Sequence, residues 1–142
     1  MRQSDFVKNS HIPAKLIRAT VRQLGGWEYF QETANDITNH GANSGYSGFT
    51  YYRDTLAFFR RNRASIMEMT EQMADALGEG MLKMIAGFNC HRGYDFTEDG
   101  IARALYTGKG DDATNIQNAM AWFALEEVSR SYVDCLESVQ TS

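Results

Sequence analysis

Residues 119–125 read AMAWFAL, which is apolar on every side of a helix. Such a segment is stable in water only if other elements cover it all round. The run continues on one stripe through Val128, Tyr132, Cys135 and Val139, so the spacing predicts a helix from about Ala113 to Val139 at the centre of the fold. Cys135 on that stripe is expected to pack before it reacts. Any fold of this chain must therefore assemble its remaining parts around the C-terminal third.

Those parts also read as helices, because apolar residues recur at three- and four-residue steps and alternating β-branched runs are almost absent. Ser10 is placed to cap a first helix with Pro13 in its opening turn and Ile17, Val21 and Leu24 on one face, stopped by Gly25-Gly26. A second carries Trp27, Phe30, Ala34 and Ile37 and ends at Asn39-His40-Gly41. Tyr52, Leu56, Phe59, Ile66, Met73 and Leu77 form one stripe over about residues 50–77, long enough to be either one helix bent near Asn62 or two helices. Met81, Leu82, Ile85 and Phe88 mark a short helix, and another is capped by Thr97 and carries Ile101, Ala102, Leu105 and Tyr106. The expectation is an all-α fold, a single compact domain of about five to six helices over 142 residues, with 1–8 and 140–142 loose.

Hydrophobic content of 43% with a single proline suits one packed core. No apolar stretch approaches the roughly 20 residues needed to cross a bilayer, and the N-terminus lacks the apolar run of a signal peptide. Cys90 and Cys135 follow no metal or disulfide spacing. A cytoplasmic protein with reduced thiols and no cofactor, metal or membrane partner is expected. Net charge is −4, unevenly spread: residues 1–63 carry nine Lys or Arg against five Asp or Glu, and residues 64–142 carry five against thirteen. Folding can either interleave the halves or keep them apart.

Asp36 and His40, four apart on one helix, with Asp54 beyond the glycine segment, could form a small catalytic cluster, although His40 also suits a helix C-terminus electrostatically. Arg53, Arg60, Arg61 and Arg63 flank Phe58 and Phe59, residue types that can follow a phosphate backbone and stack on bases, but Phe59 lies on the apolar stripe, which favours a solvated arginine face over a packed interior. TGKGDD lacks the spacing of a phosphate loop. Glu68, Glu71, Asp75 and Glu79 form an acidic stripe at helical steps, either a solvated face or a contact for a basic partner. Met67, Met69, Met73, Met81 and Met84 read as core filling.

The segment HGANSGYSGFTYYRDT, residues 40–55, sets Tyr46, Phe49, Tyr51 and Tyr52 beside Gly41, Gly45 and Gly48. Glycines allow close backbone approach and tyrosines give a broad apolar face with a polar tip, a mixture that serves a recognition loop or plugs a gap between helices. The stretch DITNHGANSGYSGFTYYRDTLAFFRRNR, followed by EQMADALGE, resembles a group of small phage and mobile-element proteins, over about residues 24–90. The resemblance implies an accessory protein that occupies a host protein or nucleoprotein complex, including restriction or CRISPR machinery. It carries no catalytic residue with it.

The leading expectation is a non-enzymatic protein-binding module, an inhibitor of a host defence complex. Its contacts would be Tyr46, Phe49, Tyr51, Tyr52, Arg53, Arg60, Arg61, Glu68, Glu71 and Asp75. The alternatives are a nucleic-acid binder on Arg53, Arg60, Arg61 and Arg63, or a small enzyme around Asp36, His40 and Asp54. A homodimer is permitted.

Overall fold

A helix apolar all round must be wrapped, and the wrapping sets the architecture. The structure, a computed structural model, describes residues 1–41 and 52–141, with side chains for all of these except 52–53 and 139–141. The described residues form seven helices: α1 (Gln3–Asn9), α2 (Ala14–Leu24), α3 (Trp27–His40), α4 (Tyr52–Leu77), α5 (Met81–His91), α6 (Glu98–Tyr106) and α7 (Ala113–Thr141). The fold is all-α, and no strand occurs among these residues. α7 is the hub, packing on α3, α4 and α6 and also touching α2 and α1. Of the AMAWFAL segment only Trp122 reaches the surface; its other six residues are buried.

The extra helix lies where a loose terminus was expected. α1 buries Phe6 completely. Its ring lies 6.1 Å from Trp27, 6.1 Å from Phe30 and 5.5 Å, edge-on, from Tyr132. Burying an aromatic ring offsets the entropy of ordering a short helix that would not form alone. The very start is tied down too, as Trp27 Nε1 donates to Met1 O at 3.1 Å and Gln31 Nε2 to the same oxygen at 3.3 Å.

Ser10 is also reassigned. It closes α1, its backbone N–H donating to Phe6 O, while its hydroxyl accepts from Ile12 N and pairs with Ser131 Oγ at 2.7 Å. Pro13 is the N-cap of α2. Gly25 and Gly26 turn the chain into α3 with φ of 111° and 120°, values closed to residues with a Cβ except under strain.

α4 bends where expected. Asn62 leaves helical geometry (φ −114°, ψ 17°), and its buried amide donates to Phe58 O at 2.9 Å. A side chain bonded back into the turn below replaces part of the regular ladder there. Along the expected stripe, Phe59 and Ile66 are buried and Leu56 and Met73 are partly buried, but Leu77 is exposed because the helix runs past the core at its C-terminal end. Thr70, which interrupts the stripe, is buried and satisfied by Ile66 O.

Side-chain bonds pin these elements to α7. Thr55 donates to Asn118 Oδ1, and Arg92 at the end of α5 pairs with Glu126. Glu127 pairs with Arg130 within α7. Burial pushes the Glu127 carboxyl above its ordinary value, with Glu126 adding to the rise, against the opposing charge and hydrogen bond of Arg130 and the charge of His11.

The rise has a sign. The folded chain holds this proton to higher pH than the unfolded chain does, so the favourable contribution is complete at low pH. It is lost as pH rises from the ordinary value of 4.5 through the raised one. Glu127→Gln should therefore gain stability relative to the parent at pH 7 and show no such gain below pH ~4. Urea unfolding at both values measures the difference; a loss at pH 7 would mean that the Arg130 pair outweighs the burial cost.

Candidate functional site

The charges on α4 change sign at its bend. From Tyr52 to Arg63 the helix carries Arg53, Arg60, Arg61 and Arg63 against Asp54, and beyond Arg63 it carries Glu68, Glu71 and Asp75 with no base. Glu68, Glu71 and Asp75 are all exposed, with Glu79 partly exposed in the turn that follows. No ion pair to any of them occurs among the described residues. A helix C-terminus carries a partial negative charge and favours cations, yet the last turn of α4 has an acid and no base. Spacings of three and four also set these like charges beside one another. Each effect costs a few tenths of a kcal/mol, so the ridge is locally unfavourable for its own helix.

The arginines do not form one face. A helix turns about 100° per residue, so Arg60 and Arg61 must diverge. Arg61 reaches toward α2, where its Nη2 donates to Gln23 Oε1 at 3.2 Å. It lines a cleft of about 360 Å³ with Lys15, Ala19, Arg22, Gln23, Phe58 and Asn62. With Arg18 one turn along, α2 thus exposes three cations beside Arg61.

Arg60 and Arg63 turn the other way, into a cleft of about 450 Å³ between α4, α6 and the start of α7. Arg60 Nε donates to Gln117 Oε1 at 3.3 Å, and Arg63 Nε donates to Leu105 O. The Arg63 guanidinium also lies over the Tyr106 ring, 5.7 Å from its centre. Gln117 is buried and donates through Nε2 to Ala104 O at 3.0 Å. Phe58 and Phe59 are both buried in the core, as the reading of a packed interior beneath the arginines has it, and neither can stack on a base.

Asp36 and His40 are exposed on α3 and Asp54 is half-buried in the first turn of α4. None of the three lines either cleft. A third cleft of about 420 Å³ holds Glu28 and Glu32 against Trp27 and Tyr29. Among the described residues no group of three His, Cys, Asp or Glu is placed to hold a metal. Their helices include none long and apolar enough to cross a membrane. Tyr46, Phe49 and Tyr51 lie outside the described residues, as do the side chains of Tyr52 and Arg53.

Lys15, Arg22, Gln23, Tyr106 and Gln117 were not among the sequence candidates. Gln23 lies 38 residues before Arg61, Leu105 lies 42 residues after Arg63 and Gln117 lies 57 after Arg60, so only packing brings them together. The one local signal was Gln117-Asn118, two polar residues directly before the apolar AMAWFAL segment and both buried.

No curated protein and no solved structure matches the chain. Residues 9–138 match the family described as a domain of unknown function, DUF7222, a span that takes in part of α1's last turn and nearly all of α7. With almost the whole chain matched, the protein belongs to the DUF7222 family.

Proposed function

We propose that this protein is a non-enzymatic protein-binding module that presents the exposed acidic ridge of α4 to a basic surface on its partner. The observation that carries this reading is the placement of Glu68, Glu71 and Asp75 at the end of α4 where acids oppose the helix dipole and one another. Local stability would favour bases there. Carboxylates repeating at each helical turn suit a partner whose Lys or Arg side chains repeat at similar spacing, and matched charge adds encounter rate and selectivity. The basic α2 face and Arg61 give the surface its opposite pole, which orients an approaching charged partner. Inhibition of a host defence complex is the specific role that the resemblance over about residues 24–90 suggests within this class, with Tyr46 and Tyr51 as further contacts.

The test separates stability from recognition. Replacing Glu68, Glu71 and Asp75 together by lysine should leave the melting temperature unchanged or raise it by about 1–3 °C, since each removed repulsion is worth a few tenths of a kcal/mol. The same triple variant should lose the protein that the parent captures from host lysate. A partner retained equally by both proteins would remove the ridge from the interface.

A further inference from the structure

The cleft between α4, α6 and α7 is organised around two cations that no acid among the described residues neutralises. Its lining is Phe59, Arg60, Arg63, Ala104, Leu105, Tyr106, Thr107, Gly108 and Gln117, with no carboxylate. Two guanidinium groups one helical turn apart repel each other unless an anion lies between them. Both are nevertheless held in place by Nε, Arg60 on Gln117 Oε1 and Arg63 on Leu105 O. Gln117 is itself only 4% exposed and fixed by its bond to Ala104 O, so the support of Arg60 is rigid. Tethering through Nε leaves the terminal nitrogens of both forks without a partner among the described residues.

The end of α6 would ordinarily repel an anion through its exposed carbonyls. Here three of those carbonyls are occupied. Ala104 O receives Gln117, Leu105 O receives Arg63, and Arg103 O receives both the backbone N–H and the hydroxyl of Thr107. Beside the arginines, Tyr106 is 58% exposed, and the Arg63 guanidinium lies over one face of its ring. A volume of about 450 Å³ suits a small ligand with one charged group and one planar group.

We propose that this cleft binds a nucleotide phosphate, held by the terminal nitrogens of Arg60 and Arg63, with the base stacked against the exposed part of Tyr106. Two forks separated by a helical turn can surround a tetrahedral dianion, whereas a flat carboxylate fills one fork alone. Thr107 and Gly108 form a wall of the cleft. The ligand is either a free mononucleotide or the 5′-phosphorylated end of a strand. None of the carboxylates of the α4 ridge takes part, so this site and the proposed protein contact can fail independently.

Calorimetric titration at low salt tests the assignment with adenosine 5′-monophosphate, adenosine, inorganic phosphate and a 5′-phosphorylated tetranucleotide. The monophosphate should bind at least about tenfold more tightly than adenosine or inorganic phosphate, since each of these lacks one half of the contact. Arg60→Gln should weaken it by about tenfold or more. Tyr106→Ala should reduce it to the level of inorganic phosphate while leaving phosphate affinity unchanged. Tighter binding of the tetranucleotide than of the mononucleotide assigns the site to strand ends, and the reverse order assigns it to free nucleotide. Absence of binding by both, equal affinity for phosphate and monophosphate, or parent-like binding by a folded Arg60→Gln variant overturns the proposal.

Discussion

Phe6→Ala should lower the stability of the whole protein by about 3–5 kcal/mol, the usual cost of deleting a fully buried phenyl ring. The residue lies six positions from the N-terminus, in a segment whose sequence reads as a loose end, so a small effect would be the natural guess. The structure places it otherwise, with no exposure and with Trp27, Phe30 and Tyr132 around it. Removing the ring leaves a cavity lined by three aromatic side chains that are themselves held by α3 and α7, so little collapse can fill it. α1 would then lose its anchor, being only seven residues long. Urea denaturation followed by circular dichroism measures the change. A cost under ~1 kcal/mol would mean that α1 does not dock on the core.

Ala121→Asp should have an effect of similar size, about 3–5 kcal/mol, for a different reason. Ala121 is fully buried in the N-terminal third of α7, the helix on which α3, α4 and α6 pack. A carboxylate there loses its hydration without gaining a partner, and an unpaired buried charge is among the costliest single changes. Protonation relieves part of that cost, so the gap between variant and parent should narrow as pH falls toward 4. Thermal unfolding at pH 7 and at pH 4 reads both statements. A variant as stable as the parent at neutral pH would show that α7 is not the covered centre of the fold.

The centre of the fold was legible in the sequence because AMAWFAL admits only one environment. The length of the α4 stripe pointed to a bend near Asn62 or to two helices, and the Asn62 side chain, bonded back to Phe58 O, makes it a bend. Helix α1 was not legible, since a seven-residue segment with a single large apolar residue gives no periodicity to read. Ser10 misled because one hydroxyl serves a helix start and a helix end equally well by composition; its bond to Ser131, across the fold, decides the matter.

The charged residues show the limit more sharply. A run of arginines in sequence suggested one face, but Arg60 and Arg61 are adjacent and the helix sends them to different clefts, one toward Gln117 and one toward Gln23. The acidic residues at helical spacing do share a ridge, because i, i+3 and i+7 stay on one side wherever the helix runs. Periodicity within one element was therefore readable, and meetings between elements were not. Asp36, His40 and Asp54 belong to the second kind, as does the cleft that joins Arg60 and Arg63 to Gln117 and Tyr106.

In the proposed function, recognition is carried by the exposed acids of α4 acting electrostatically on a partner protein. Its most direct measurement is the affinity of the partner retained by the parent protein, followed from about 0.05 to about 0.5 M NaCl, where the screening length contracts several-fold. The account predicts that affinity falls steadily with salt, and that the variant with lysine at 68, 71 and 75 binds weakly at every salt concentration. An affinity indifferent both to salt and to those three substitutions would contradict it.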